Sequence, residues 1–166
     1  MCIRDRIFTF KVTEWIGKTR GSPYRILAIP EEFTLYQFAE EITGSFDFYF
    51  DHPFGFYNHM TRYYDATEAY ELFADDPDTR LECPSFAKGV KKIRVNKIFT
   101  EIGKKMLFLF DYGDNWKFRI ELLAIEPVQQ GKVYPLIVES VGKARTQYDE
   151  PDELEELCRI DDDDDE

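Results

Sequence analysis

The stretch from Phe110 to Leu122, FDYGDNWKFRIEL, constrains the fold more than any other part of the sequence. Its turn, Tyr112 to Asn115, separates a predicted buried strand, Met106 to Asp111, from a segment in which apolar and polar residues alternate. The alternation predicts a strand with Trp116, Phe118, Ile120 and Leu122 facing inward and Lys117, Arg119 and Glu121 facing outward. A shift of one residue would bury lysine and arginine, so the pattern specifies the register of this hairpin.

Other strands and one helix are predicted around this hairpin. Alternation from Ile7 predicts a first strand, and Tyr24 to Ile29 predicts its antiparallel neighbour. Thr34 and Gln37 have the spacing of a capping box, which predicts a helix over about 35–43 with Gly44 as its stop signal.

The remaining elements are shorter. Phe54 to Met60 and Val133 to Val138 are predicted strands, Val95 to Glu101 is a predicted short helix, and residues 61–82 mix strand and helix signals. Strands and helices do not alternate regularly along the chain. The order therefore predicts an α+β fold with a mainly antiparallel sheet, one principal helix (about 35–43) and short additional helices.

Charge divides the chain into a body and a tail. The net charge is -12, but residues 149–166 hold twelve of the 33 acids and one of the 21 bases. Residues 7–148 are therefore nearly neutral, and we expect one domain there, followed by an acidic C-terminal tail. The start, MCIRDR, resembles translated sequencing-adapter stretches, so residues 1–6 are expected to be a non-native start.

Targeting and cysteine signals point to the cytoplasm. No apolar run is long enough to span a membrane, and the N-terminus lacks the apolar segment of a secretory signal. Cys2, Cys83 and Cys158 lie far apart without a CxxC pair, which argues against a disulfide framework and against a structural zinc site. We predict a cytoplasmic protein that binds neither cofactor nor membrane.

The hairpin turn has two interpretations. Asp111 and Asp114 beside Trp116 have the groups to bind a cation or to act as acid and base. Alternatively, Asp111 and Asn115 bond the backbone of the turn, Gly113 takes a positive φ, and Trp116 fills the core. The second interpretation is favoured because such a turn selects these residues without any chemistry.

Asp51 and His52 form a second candidate site in the aromatic segment before Phe54. An imidazole beside a carboxylate suits a base or a metal site, with His59 and Asp65 as further partners. The spacing matches no zinc pattern, so we predict no metal ligands. A loop histidine that bonds the backbone is the favoured alternative.

A basic segment suggests a third function, contact with nucleic acid. Its bases are Lys88, Lys91, Lys92, Arg94, Lys97, Lys104 and Lys105, and Phe86 and Phe99 are the aromatic residues near them that would stack on bases. A solvated surface is the favoured alternative, because the body of the chain has almost no net charge. Nucleophile elbow, phosphate-loop, dinucleotide and zinc-protease motifs are missing, which argues against an enzyme of those classes.

Four separated motifs carry a family resemblance. In order they are YRILAIPEEFTLYQFAEEI, DHPFGFY, FLFDYGDNWKFRIEL and YPLIVESVGKARTQYDEPDE, and together the chain resembles the plasmid pRiA4b ORF-3-like family from about Ile7 to Glu153. Members occur on plasmids, mobile elements and chromosomes, and the resemblance implies no catalytic activity. Two departures stand out: Pro53 and Phe54 replace a common second histidine, and Arg145 and Thr146 replace common prolines.

The resemblance points to family-signature positions rather than to catalytic residues. They are Arg25, Asp51, His52, Asp111, Gly113, Asp114 and Trp116. We therefore predict a non-catalytic binding or interaction module with an unknown protein or small-molecule partner, and its ligand face where Asp51 and His52 meet the turn. The first alternative is a metal-assisted hydrolase or nuclease-like enzyme that uses Asp51, His52, Asp111 and Asp114. The second is nucleic-acid binding through Lys88 to Lys105.

Overall fold

The computed structural model describes residues 6–15, 22–113 and 115–143. Seven strands form one antiparallel sheet in the order β4-β3-β5-β6-β1-β2-β7. The strands are β1 (Arg6–Glu14), β2 (Tyr24–Pro30), β3 (Phe54–Tyr57), β4 (Ala69–Glu71), β5 (Lys105–Phe110), β6 (Trp116–Pro127) and β7 (Leu136–Val141). The helices are α1 (Leu35–Ser45) and α2 (Val95–Ile98), and 3-10 turns occupy Tyr63–Asp65, Leu72–Asp75 and Arg80–Glu82.

The α+β prediction is wrong, because the described residues form a mainly β protein. Only α1 among the described helices reaches seven residues, while all seven strands join the same sheet. The predicted helix from Val95 to Glu101 is a single turn that ends at Ile98, and residues 61–82 contain one strand between 3-10 turns. The order of elements indicated their types but not how much of the chain each type would occupy.

The hairpin of β5 and β6 has the predicted alternation. Phe108 pairs with Phe118, and Phe118, Ile120 and Leu122 are almost fully buried. β6 continues beyond Leu122 to Pro127, because its second half pairs with β1 as far as Arg6. The strands β1 and β2 are antiparallel neighbours, as their spacing predicts.

Helix α1 begins at the predicted capping box. The backbone N–H of Gln37 donates to Thr34 Oγ1 at 3.2 Å, and the N–H of Thr34 donates to Gln37 Oε1 at 2.9 Å. The helix passes through Gly44 and ends at Ser45, because Asp47, with φ of 64°, takes the left-handed conformation that terminates it.

Aromatic side chains dominate the core between α1 and the sheet. Phe38 is fully buried with its ring centre 4.6 Å from that of Phe10. A second, smaller cluster lies on the other sheet face, because side chains alternate along β3 and place Phe56 in the main core and Tyr57 in the small one. No helix in the described part of the chain is long and apolar enough to cross a membrane.

Candidate functional site

The loop that precedes β3 and the turn that follows β5 meet at one end of the sheet. Phe54 of β3 pairs with Phe110 of β5, so the residues just outside this pair are brought together. The backbone N–H of Asp111 donates to the carbonyl of Pro53 at 2.9 Å, which fixes the turn to the loop. His52 Nε2 lies 3.5 Å from Asp51 Oδ1 and 3.5 Å from Asp111 Oδ2. The imidazole therefore lies between two carboxylates.

Asp111 is an integral part of its turn. It is only 9% exposed, and its Oδ1 accepts a hydrogen bond from the backbone N–H of Gly113 at 3.1 Å. Positive φ occurs at Asp111 (68°) and Asn115 (57°), not at Gly113 as predicted. Aspartate and asparagine tolerate this conformation because their short side chains bond the nearby backbone.

A cleft of about 460 Å³ opens beside His52, and we call it the His52 cleft. Its apolar walls are Tyr36, Phe50, Pro53, Phe54, Leu72 and Phe73, and its polar residues are Asp51, His52, Asp75, Asp76, Thr79 and Lys91. Three carboxylates thus face one lysine. Asp75 is already engaged, because its Oδ2 accepts from the backbone N–H of Val90 at 2.8 Å. The cleft combines aromatic surface with excess negative charge.

Two predicted ligand residues, Arg25 and Trp116, do not line this cleft. Arg25 is 5% exposed and donates to the carbonyls of Tyr24, Ser45, Val141 and Gly142. Trp116 packs against the ring of Phe48 with centres 4.8 Å apart. Asp114 lies outside the described residues.

The partners considered for a metal site are separate from His52. His59 Nδ1 accepts backbone N–H groups of Thr61 and Arg62, and Asp65 pairs with Arg62. Among residues 6–15, 22–113 and 115–143, no three His, Cys, Asp or Glu side chains are arranged to hold a metal ion.

The side chains of the basic segment lie in different surroundings. Lys91 lines the His52 cleft, whereas Lys105 lines a separate cavity with Lys11, Trp15 and Arg119. Arg94 pairs with Glu32, and Lys104 donates to the carbonyl of Ile98. Lys88, Lys92 and Lys97 are exposed. Phe99 is fully buried and cannot stack on a base, while Phe86 is 47% exposed.

A cluster that the sequence did not reveal lies on the sheet face opposite α1. Tyr57 Oη donates to Glu71 Oε2 at 2.8 Å and lies 2.6 Å from Tyr112 Oη. A hydroxyl carries one proton, so Tyr57 accepts from Tyr112 when it donates to Glu71. The three residues come from β4, β3 and the turn after β5. The available signal was the alternation of Tyr57 with Phe56, which places a tyrosine on the opposite face.

Glu71 is expected to make stability depend on pH. Burial raises the pKa of its carboxyl above the ordinary 4.5, although the Tyr57 hydrogen bond and the charge of Arg80 lower it. The folded state then binds the proton more tightly, so the contribution to stability falls as pH rises above 4.5. We therefore compare the free energy of unfolding of Glu71→Gln with that of wild type by urea unfolding at two pH values. The difference, variant minus wild type, should be larger at about pH 7 than at about pH 4. The variant Glu101→Gln measures the general effect of losing one carboxylate, and its difference is subtracted. A corrected difference that is the same at both pH values would contradict this prediction.

Gly55 leaves space for this cluster. A Cβ at Gly55 would lie 2.6 Å from Tyr57 Oη and 2.7 Å from Tyr112 Oη. Gly55→Ala should force the two hydroxyls to move and lower the free energy of unfolding by about 2 kcal/mol, measured by urea denaturation. The control is Gly44→Ala in α1, where a Cβ meets no atom within 4 Å and no loss is expected. Equal stability of the two variants would refute the steric argument.

Comparison with known proteins identifies the family. No curated protein gives a significant match to the chain. The crystal structure of a protein of unknown function from Methanosarcina mazei Go1 is similar, with 19% identity and a TM-score of 0.72 over 97% of this chain and 86% of that one. At this identity the likeness concerns the fold alone. The family model described as plasmid pRiA4b ORF-3-like protein matches residues 7–165. Because that match spans nearly the whole sequence, the chain belongs to the plasmid pRiA4b ORF-3-like protein family.

Proposed function

We propose that the protein is a non-catalytic binding module whose ligand face is the His52 cleft. The observation that carries the proposal is the position of Asp111, which is buried, bonded to its own turn and in contact with His52. A carboxylate held in this way positions the imidazole at the edge of the cleft. It is less suited to exchange protons with a substrate, because one of its oxygens already binds the turn.

The composition of the cleft favours a basic ligand with apolar bulk. Asp51 and Asp76 are exposed at the cleft, and the rings of Phe50 and Phe73 offer apolar surface. Carboxylates attract lysine or arginine, and aromatic faces bind both cations and apolar groups. We therefore expect a short peptide segment in which arginine or lysine adjoins an aromatic residue.

A peptide library tests this function. Fluorescence anisotropy with labelled peptides of that composition should find ligands whose binding weakens as salt increases, because the exposed charges are screened. The variants His52→Ala and Asp51→Asn should each weaken the best peptide about fivefold by removing a contact at the cleft.

The matched control is Glu101→Gln, which removes one exposed carboxylate outside the lining of the cleft. It should leave the affinity unchanged. If it weakens the peptide as much as Asp51→Asn does, the attraction comes from net charge and the His52 cleft is not the ligand face. If acidic and neutral peptides bind as well as basic ones, the proposed ligand class is wrong.

A further inference from the structure

A further cavity, of about 540 Å³, lies on the sheet face opposite α1 and is distinct from the His52 cleft. Six aromatic side chains contribute to its lining: Tyr57, Tyr63, Tyr64, Phe73, Phe86 and Tyr112. Phe73 also borders the His52 cleft, so the two cavities are neighbours. We call the cavity that these six aromatic side chains line the tyrosine cage.

The rings around Tyr63 meet at steep angles. The ring centre of Tyr63 lies 5.1 Å from Tyr57, 5.6 Å from Tyr64 and 5.7 Å from Tyr112, with interplanar angles of 52°, 75° and 62°. Phe73 stacks on Tyr112 at 5.4 Å. Rings at steep angles around one space present several π faces to whatever enters it.

Two of the rings are open to solvent. Tyr64 is 71% exposed and Phe86 is 47% exposed, while Tyr57 deeper in the cage is 1% exposed. Large exposed aromatic side chains at the mouth of a cavity are typical of binding surfaces. The cage thus has a buried inner end and an accessible entrance.

The charge of the cage is negative. Glu71 and Glu82 line it, and no lysine or arginine does so among the residues that the structure describes. Arg80 lies close enough to influence Glu71, and its guanidinium is held outside the lining by the carbonyls of Pro84, Ser85 and Ala87, so its charge offsets one of the two carboxylates and leaves the other. Glu71 itself is 4% exposed. A buried carboxylate behind aromatic walls favours a cation in the cavity.

We propose that the tyrosine cage recognises an alkylated ammonium group. Aromatic side chains make up most of the lining, and Glu71 Oε2 already accepts a hydrogen bond from Tyr57, so the cavity suits a cation that is held through methyl groups. A trimethylammonium group has no N–H to satisfy, and its methyl groups contact aromatic faces while its charge interacts with their π electrons. The N–H groups of a primary ammonium, by contrast, lose hydrogen bonds to water wherever they face an aromatic ring.

The group has two sources, a free small molecule or a modified side chain of a peptide. Titration calorimetry with the full chain should use choline, acetylated trimethyllysine amide, acetylated lysine amide and 3,3-dimethylbutanol, the uncharged analogue of choline. We expect choline or the trimethyllysine probe, or both, to bind about tenfold more tightly than the lysine probe and than dimethylbutanol. The preference between the two trimethylammonium probes, choline and acetylated trimethyllysine amide, then identifies the source.

Two variants test the residues. Tyr64→Leu should reduce the affinity for the better charged probe about tenfold, and the control Tyr49→Leu, which changes another highly exposed tyrosine outside the cage, should not. Glu71→Gln should reduce binding of the charged probe and leave dimethylbutanol unchanged.

Three outcomes would overturn the proposal. These are equal affinity for the better trimethylammonium probe and dimethylbutanol, no binding of either trimethylammonium probe, or equal loss of affinity in the Tyr64 and Tyr49 variants. Because the probes and variants differ from those for the His52 cleft, failure at one site leaves the other test intact.

Discussion

Replacing Phe38 by alanine is expected to lower the free energy of unfolding by about 4 kcal/mol. Phe38 is fully buried in α1, and its ring contacts Phe10 of β1 at 4.6 Å and stacks on Phe56 of β3 at 6.0 Å. It therefore joins the helix to both halves of the sheet. Removing the ring loses buried apolar surface and leaves a cavity between rigid rings that cannot collapse fully.

Urea denaturation measures this effect directly. The matched control is Phe86→Ala, which removes the same ring from a position that is 47% exposed and should change stability far less. A loss below about 1 kcal/mol for Phe38→Ala would mean that the helix does not cover the core as described.

Replacing Arg25 by methionine is expected to destabilise the fold by about 3 kcal/mol. Arg25 Nε donates to the carbonyl of Ser45 at 2.8 Å, and Nη1 donates to that of Gly142 at 3.1 Å. Its guanidinium also lies 4.5 Å from the ring centre of Phe46. The side chain thereby ties β2 to the end of α1 and to the edge strand β7. Methionine fills part of the space but leaves the buried carbonyl of Ser45 without this donor.

The control for Arg25 is Arg62→Met, because Arg62 is exposed and pairs only with the exposed Asp65 among the contacts that the structure describes. Unfolding experiments should show no measurable change for this variant. At temperatures where the Arg25→Met variant is folded, it should bind the peptides of the His52 cleft with the same relative affinities as wild type does. A specific loss of peptide binding without a loss of stability would give Arg25 the ligand role that the family pattern implies.

Local features of the fold could be predicted because neighbouring residues determine them. Alternation fixed the faces of β6, and the Thr34 and Gln37 pair marked the start of α1. Both patterns act within a few residues. The extent of each element was less predictable, since β6 owes its second half to β1, and α1 ends at Ser45 because Asp47 takes a conformation that Gly44 would have adopted more readily.

The sites depended on contacts between distant parts of the chain. Asp51, His52 and Asp111 were singled out by residue type, but only the pairing of Phe54 with Phe110 brings them together. The tyrosine cage was missed because its carboxylate and rings come from separate segments that each carry an unremarkable local pattern. Alternation along a strand indicates which face of the sheet a side chain lies on. It does not indicate which residues of other segments that side chain contacts.

Amide chemical-shift mapping of the full chain with the best basic peptide tests the central claim most directly. If the His52 cleft is the ligand face, the largest shifts should fall in residues 50–54, 72–79 and 111–113. They should diminish in the Asp51→Asn variant and persist in Glu101→Gln. Largest shifts in β1, β2 or β7, with the cleft residues unchanged, would contradict the account.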